Sequence, residues 1–168
     1  MKILVFSDSH GRTAGMERAI DSHPDAAYIL HAGDGAREFS LMRGSRPGAA
    51  FVGVRGNCDF LLETDDKPPL QTVLDIEGVR ILLTHGHRYF VKSSTYALTE
   101  YAAENDIDIA IYGHTHLPAD LFLPDVGRRG LRLFNPGTVS GSGTGICTYG
   151  IIEIRPNGIL TSHASVFA

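Results

Sequence analysis

The sequence predicts an α/β (α+β) domain of two stacked β-sheets with helices outside, and three observations predict it. Apolar strands alternate with helical stretches in the first half, whereas the second half is dominated by strand-like runs joined by tight turns. Several of the apolar runs are continuous rather than alternating, the mark of strands buried on both faces. Residues 2–7 form the first such strand, and Asp8-Ser9-His10-Gly11 ends it abruptly. Residues 13–22 carry Met16, Ala19 and Ile20 at helical spacing. A second strand over 27–31 stops in Ala32-Gly33-Asp34-Gly35, and a short helix follows over 37–42. A third strand, 50–54, stops in Arg55-Gly56-Asn57-Cys58-Asp59. Residues 64–69 are charged and proline-rich, which reads as an exposed connection. Strands over 70–76 and 79–84 flank Glu77-Gly78 as a two-residue hairpin, although glutamate is a poor occupant of a left-handed turn. The second of them ends in His85-Gly86-His87. A helix over 94–105 leads to a buried strand, 107–112, whose tip is Gly113-His114-Thr115-His116. Strands over 120–123, 131–134, 147–154 and 160–167 complete the chain, with turns at 127–130 and 156–158.

A chain of 168 residues is the size of one domain, spanning 1–168. Nineteen acids against fifteen bases leave a net charge of −4, and the bases are scattered apart from Arg128-Arg129. That pattern argues against a dedicated nucleic-acid or anionic membrane surface, both of which need clustered cations. No apolar run is long enough for a spanning helix or a signal peptide core. Two cysteines give no disulfide framework, so the expected location is cytoplasmic.

Taken singly, each polar strand tip has an ordinary explanation. Asp8 alone reads as a cap or Asx turn, Gly33-Asp34-Gly35 as a common turn, and His85 as a structural histidine. Their coincidence changes the weighing: carboxylate, amide and imidazole groups recur at the ends of successive strands, where α/β folds bind ligands. Mixed oxygen and imidazole donors suit Mn²⁺, Fe²⁺, Ni²⁺, Co²⁺ or Zn²⁺.

Asp8-x-His10, Gly33-Asp34, Gly56-Asn57, His85 and Gly113-His114-x-His116, in this order, resemble the calcineurin-like metallophosphoesterases over nearly the whole chain. The short length, Gly56-Asn57-Cys58-Asp59 and Asn135-Pro136-Gly137-Thr138 are most similar to the small YfcE-like phosphodiesterase branch. The resemblance implies a four-layer αββα sandwich of two mixed sheets. It implies a first ion held by Asp8, His10 and His116, a second held by Asn57, His85 and His114, and Asp34 bridging both. Mn²⁺ is the first choice of cofactor, with Ni²⁺, Fe²⁺, Co²⁺ and Zn²⁺ as alternatives. The implied reaction is in-line attack of a metal-bridging hydroxide on a small phosphodiester, with Asn57 stabilising the equatorial charge. The wider family usually has histidine after this Asn as proton donor; here Cys58 stands there, and His87 is the other candidate. A thiol is a poorer donor than imidazolium, so aryl leaving groups are expected to be favoured.

The competing readings are a non-catalytic scaffold, since a retromer coat subunit resembles this branch, and a broad phosphomonoesterase. Arg12 is a weaker candidate for a phosphate contact, and His31 reads as a packing residue. Cys147 falls within the strand predicted over 147–154 and reads as core. Exposed edges in the strand-rich tail fit a homodimer or homotetramer.

Overall fold

The computed structural model describes residues 1–59 and 67–166. Strands β1 (Lys2–Phe6), β2 (Tyr28–His31) and β3 (Ala50–Gly53) are linked by helices α1 (Ala14–Ser22) and α2 (Ala36–Leu41). The hairpin β4 (Gln71–Ile76) and β5 (Val79–Thr84) follows, then a 3₁₀ turn (His87–Tyr89), α3 (Tyr96–Glu104) and β6 (Ile109–Ile111). Four strands complete it: β7 (Pro118–Leu123), β8 (Leu131–Pro136), β9 (Thr148–Arg155) and β10 (Gly158–Ser165).

These strands form two mixed five-stranded sheets, ordered β10-β9-β1-β2-β3 and β4-β5-β6-β8-β7. β1, β2 and β3 run parallel, as do β5, β6 and β8; β9 is antiparallel to β1, β4 to β5 and β7 to β8, and β10 pairs antiparallel with β9. The doubly buried runs divide their side chains between two cores because successive residues point to opposite faces. In β1, Ile3 and Val5 enter the core between the sheets, while Leu4 and Phe6 meet Met16, Ala19 and Ile20 of α1. In the second sheet Ile81, Leu83, Ile109 and Ile111 face inward, while Leu82 and Ala110 pack outward with Leu98 and Ala102 of α3. The result is the αββα layering that the sequence predicts. No helix among the described residues is long and apolar enough to cross a membrane.

The sequence misplaces some boundaries. The predicted strand over 120–123 begins earlier, at Pro118, which an edge strand tolerates at its first position because no ladder donor is lost there. Gly158 belongs to β10 rather than to the turn before it. Cys147 lies just before β9, not within it, and packs half-buried against the core under α1. The 3₁₀ turn after His85 has no periodic signal in the sequence and was not expected. Residues 64–66 of the predicted connection and Phe167 of the last predicted strand lie outside the described residues.

Candidate metal centre

The parallel strands of both sheets end at one edge of the sandwich, and their tips meet there. The first sheet brings Asp8 and His10 after β1, Asp34 after β2 and Asn57 after β3; the second brings His85 after β5 and His114 and His116 after β6. Asp8, His10, Asp34, His114 and His116 all have left-handed backbones, and only Glu77, Phe90 and Asp106 share that trait among described non-glycine residues. Each such residue costs of order 1 kcal/mol or more, and such strain gathers where geometry serves a site. Here the strain turns each side chain back over its strand end.

Asp8 is fully buried. Its Oδ2 accepts hydrogen bonds from Ser7 Oγ at 2.6 Å and the His114 backbone N–H at 3.0 Å. Its Oδ1 is buried without a hydrogen bond and lies 3.1 Å from His116 Nε2 and 3.9 Å from His10 Nε2. The two imidazoles present Nε2 atoms 3.4 Å apart. His116 Nδ1 sits 2.7 Å from the Ser142 carbonyl, an acceptor only, so Nδ1 carries the proton and Nε2 keeps its lone pair in the neutral ring.

The other half repeats this logic. His85 Nδ1 donates to the Ala32 carbonyl at 2.7 Å, leaving Nε2 facing Asn57 Oδ1 at 3.1 Å and Asp34 Oδ2 at 3.4 Å. Asp34 Oδ1 accepts the Cys58 N–H at 2.7 Å. Ligand atoms of Asp8, His10 and His116 fall within 4.8 Å of one another, as do those of Asp8, Asp34 and His85, and those of His10, Asp34 and Cys58. Asn57 joins through His85. His114 gives its backbone N–H to Asp8, and its ring packs on that of His85 with centroids 5.0 Å apart. His87 stands further out, 5.4 Å from the His85 ring and 6.2 Å from His114, with Nδ1 buried and unpaired.

Two glycines are dictated by this crowding. A Cβ on Gly56 would lie 2.1 Å from Asp34 Oδ1, and one on Gly113 would lie 1.9 Å from Ser7 Oγ and 2.8 Å from Asp8 Oδ2.

The charges are tuned by the same neighbours. Burial works against the Asp34 carboxylate, yet His85 and the Cys58 N–H hold its pKa well below the usual range. Asp8 is likewise depressed, burial being outweighed by His116, His85 and Ser7. Burial opposes the His85 imidazolium, but Asp34 and Asp8 raise its pKa overall; Asp8 does the same for His116. Burial, with the His85 charge and Lys92 adding to it, pushes His114 down to about 4. Burial and Asp34 push the Cys58 thiol up to about 11, and burial with His85 lowers His87.

An unsatisfied buried carboxylate oxygen and imidazole lone pairs converging at 3–4 Å repel one another unless a cation lies between them. The donors therefore fit divalent ions of intermediate hardness.

Residues around the ligand candidates are tied in by hydrogen bonds, among them Ser140, which the motifs do not single out. Thr138 and Ser140 hydroxyls both donate to the Asp8 carbonyl, at 2.9 and 2.8 Å. Asn135 Nδ2 donates to the Gly113 carbonyl and to Thr115 Oγ1, both at 3.0 Å. Arg12 is committed to the Ser140 carbonyl at 2.9 Å. His31 is buried against Phe39, with Ser9 Oγ 3.1 Å from its Nε2.

Two mixed sheets in an αββα sandwich, with carboxylate, amide and imidazole donors at the strand tips, define the metallophosphoesterase class. The chain belongs to the calcineurin-like phosphoesterase superfamily, whose domain matches residues 1–157. It is 32% identical to the phosphodiesterase YfcE of Escherichia coli K12, over 91% of this chain and 88% of that one. The fold matches a predicted phosphoesterase from Streptococcus pneumoniae at a TM-score of 0.79 and 25% identity, covering 99% of this chain and 90% of the other. It also matches Vps29 from Entamoeba histolytica, solved with Zn²⁺, at a TM-score of 0.71 and 21% identity over 99% of both chains, a likeness of fold.

Proposed function

We propose that this chain is a dinuclear metal-dependent phosphodiesterase contained in a single domain, with Asp8, His10 and His116 around one ion, Asn57, His85 and His114 around the other, and Asp34 between them. The observation that carries the reading is the buried, unsatisfied Asp8 Oδ1 facing His116 Nε2, whose ring spends Nδ1 on the Ser142 carbonyl, while His85, its Nδ1 spent on the Ala32 carbonyl, turns Nε2 toward Asp34. The phosphodiesterase name of the YfcE relative supports the substrate class. Two bound divalent ions, manganese first and nickel, iron, cobalt or zinc as alternatives, would supply positive charge to the phosphate oxygens and lower the pKa of water at the site.

The chain's own groups set the rest. Asp8 and Asp34 stay ionised at neutral pH because their hydrogen bonds favour the charged form. The Ala32 and Ser142 carbonyls hold His85 and His116 in the tautomer that presents Nε2. Beside them, neither acid candidate is strong: the Cys58 thiol is pushed up to about 11, and His87 is held mostly neutral. The leaving oxygen departs with little help from a proton, so stable aryl oxides leave faster than alkoxides.

The test is to strip the protein with a chelator and assay an aryl phosphodiester and its alkyl counterpart before and after adding Mn²⁺. Hydrolysis should vanish on stripping, return with Mn²⁺, and favour the aryl ester by about 100-fold or more, the contribution a missing general acid would make. Activity that survives complete stripping sinks the metal reading, and equal rates on the two esters sink the leaving-group argument. Tight Mn²⁺ binding with no hydrolysis of either ester would favour the non-catalytic scaffold instead.

A further inference from the structure

The tip of β3 carries one more acid, Asp59, whose carboxylate touches no candidate ligand side chain. It accepts four backbone N–H groups instead. Oδ2 takes those of Asp34 at 2.8 Å and Gly56 at 2.7 Å, and Oδ1 takes those of Gly35 and Ala36, both at 3.0 Å. Helix α2 starts at Ala36, and its N-cap residue Gly35 has no side chain with which to cap it. Asp59 therefore supplies, from a different loop, the acceptor that the helix start lacks. The exchange is reciprocal: Asp34 of the β2 loop accepts the Cys58 N–H of the β3 loop, while Asp59 of the β3 loop accepts the Asp34 N–H. One oxygen, Asp59 Oδ2, receives donors from both loops and so fixes their separation.

We propose that Asp59 is the positioning residue that sets Asp34 and Asn57 in register, and that it governs occupancy of the second ion position far more than the first. The proposal rests on the dinuclear reading above. Asn57 directly follows Gly56, so its place relative to Asp34 is set through the shared Asp59 oxygen. In the Asp8, His10 and His116 group the β2 loop accepts the Asp8 and His10 N–H groups through the Gly33 and Asp34 carbonyls, at 3.0 and 3.1 Å, but two of the three side chains have anchors of their own. Ser7 and the His114 N–H fix Asp8 and the Ser142 carbonyl fixes His116, while Glu38, in the first turn of the helix that Asp59 caps, holds the loop of His10 through the Gly11 N–H and Ser9 Oγ. An amide at position 59 has the size of the carboxylate but one acceptor oxygen in place of two, and it turns an NH₂ group toward two backbone donors. Those donors lose their partner, and the two loops part.

The experiment is a Mn²⁺ titration of wild type and Asp59→Asn, read by electron paramagnetic resonance together with the thermal midpoint of each metal-free protein. Wild type should give the spectrum of an exchange-coupled pair of ions at two equivalents. Asp59→Asn should show the six-line signal of isolated Mn²⁺ at the same loading, with second-ion affinity weaker by about 10–100-fold, as loss of an outer hydrogen-bond partner typically costs. Excess Mn²⁺ should restore the coupled spectrum. A coupled spectrum at two equivalents in Asp59→Asn, with unchanged affinity, overturns the proposal and leaves the dinuclear reading intact. Equal weakening of both ions also overturns it, because Asp59 would then be a general structural cap. Wild type that never couples two ions removes the dinuclear reading and this proposal together. Should Asp59→Asn fail to fold, Asp59→Glu, which keeps the anion, is read by the same criterion.

Discussion

The histidines of the centre divide by environment, and the division has a pH signature. His85 and His116 are raised above the ordinary value of 6.5 by carboxylate partners, whereas burial pushes His31 and His114 down to about 4. A raised histidine contributes stability that is complete below 6.5 and is lost as pH climbs through its folded value. A depressed histidine contributes stability that is complete above 6.5 and is lost as pH falls toward 4. The depressed carboxylates Asp8 and Asp34 contribute stability that is lost only as pH falls below about 3.8, their ordinary value. The metal-free protein is therefore expected to be most stable near pH 6.5 and to weaken on both sides. Stabilisation by Mn²⁺ should grow from pH 6 to 8, since a cation competes with the protons on His85 and His116. Thermal midpoints with chelator and with Mn²⁺ across pH 5–9 check this; metal-free stability still rising at pH 8.5 would refute it. The ligand candidates were legible because aspartate and histidine beside glycine, at the end of an apolar run, are an unusual place for such groups. Asp59 was not, because its partners are backbone N–H groups that leave no trace in residue identity.

Among the elements, the hairpin between β4 and β5 shows how a sequence can satisfy a turn imperfectly. Glu77 and Gly78 have φ of 52° and 76°, the two left-handed positions of a type I′ turn. Glycine meets that demand freely and glutamate does not. Glu77→Asn should stabilise the protein by about 0.5–1 kcal/mol, a rise in midpoint of roughly 1–4 °C for a chain of this size, measured by calorimetry. An unchanged or lower midpoint would mean that the glutamate side chain has a compensating role. Strands and helices were legible wherever burial forces a period, as in α1 with Met16, Ala19 and Ile20. The 3₁₀ turn at His87–Tyr89 was not, for it buries none of its residues and has too few to show a period.

Over the whole molecule, the sequence indicates two sheets but not their strand order. That β8 inserts between β6 and β7, and that β9 returns to lie beside β1, depends on long-range pairing that no local pattern encodes. Both sheets nonetheless share one interior, to which Ile111 contributes a fully buried side chain. Ile111→Ala should cost about 2–5 kcal/mol and shift a single cooperative urea transition to lower concentration. Two separate transitions in the wild-type protein would contradict the single-domain proposal.

One feature of the layering reaches beyond stability. The donors are divided between the sheets, with four from the first and three from the second, and His85 crosses the divide to reach the Ala32 carbonyl. Were ions to bind as proposed, each would act as a rivet through two plates, and any slippage of one plate along the other would pull the rivet's sockets out of line. Catalytic competence would then report on the alignment of the whole sandwich.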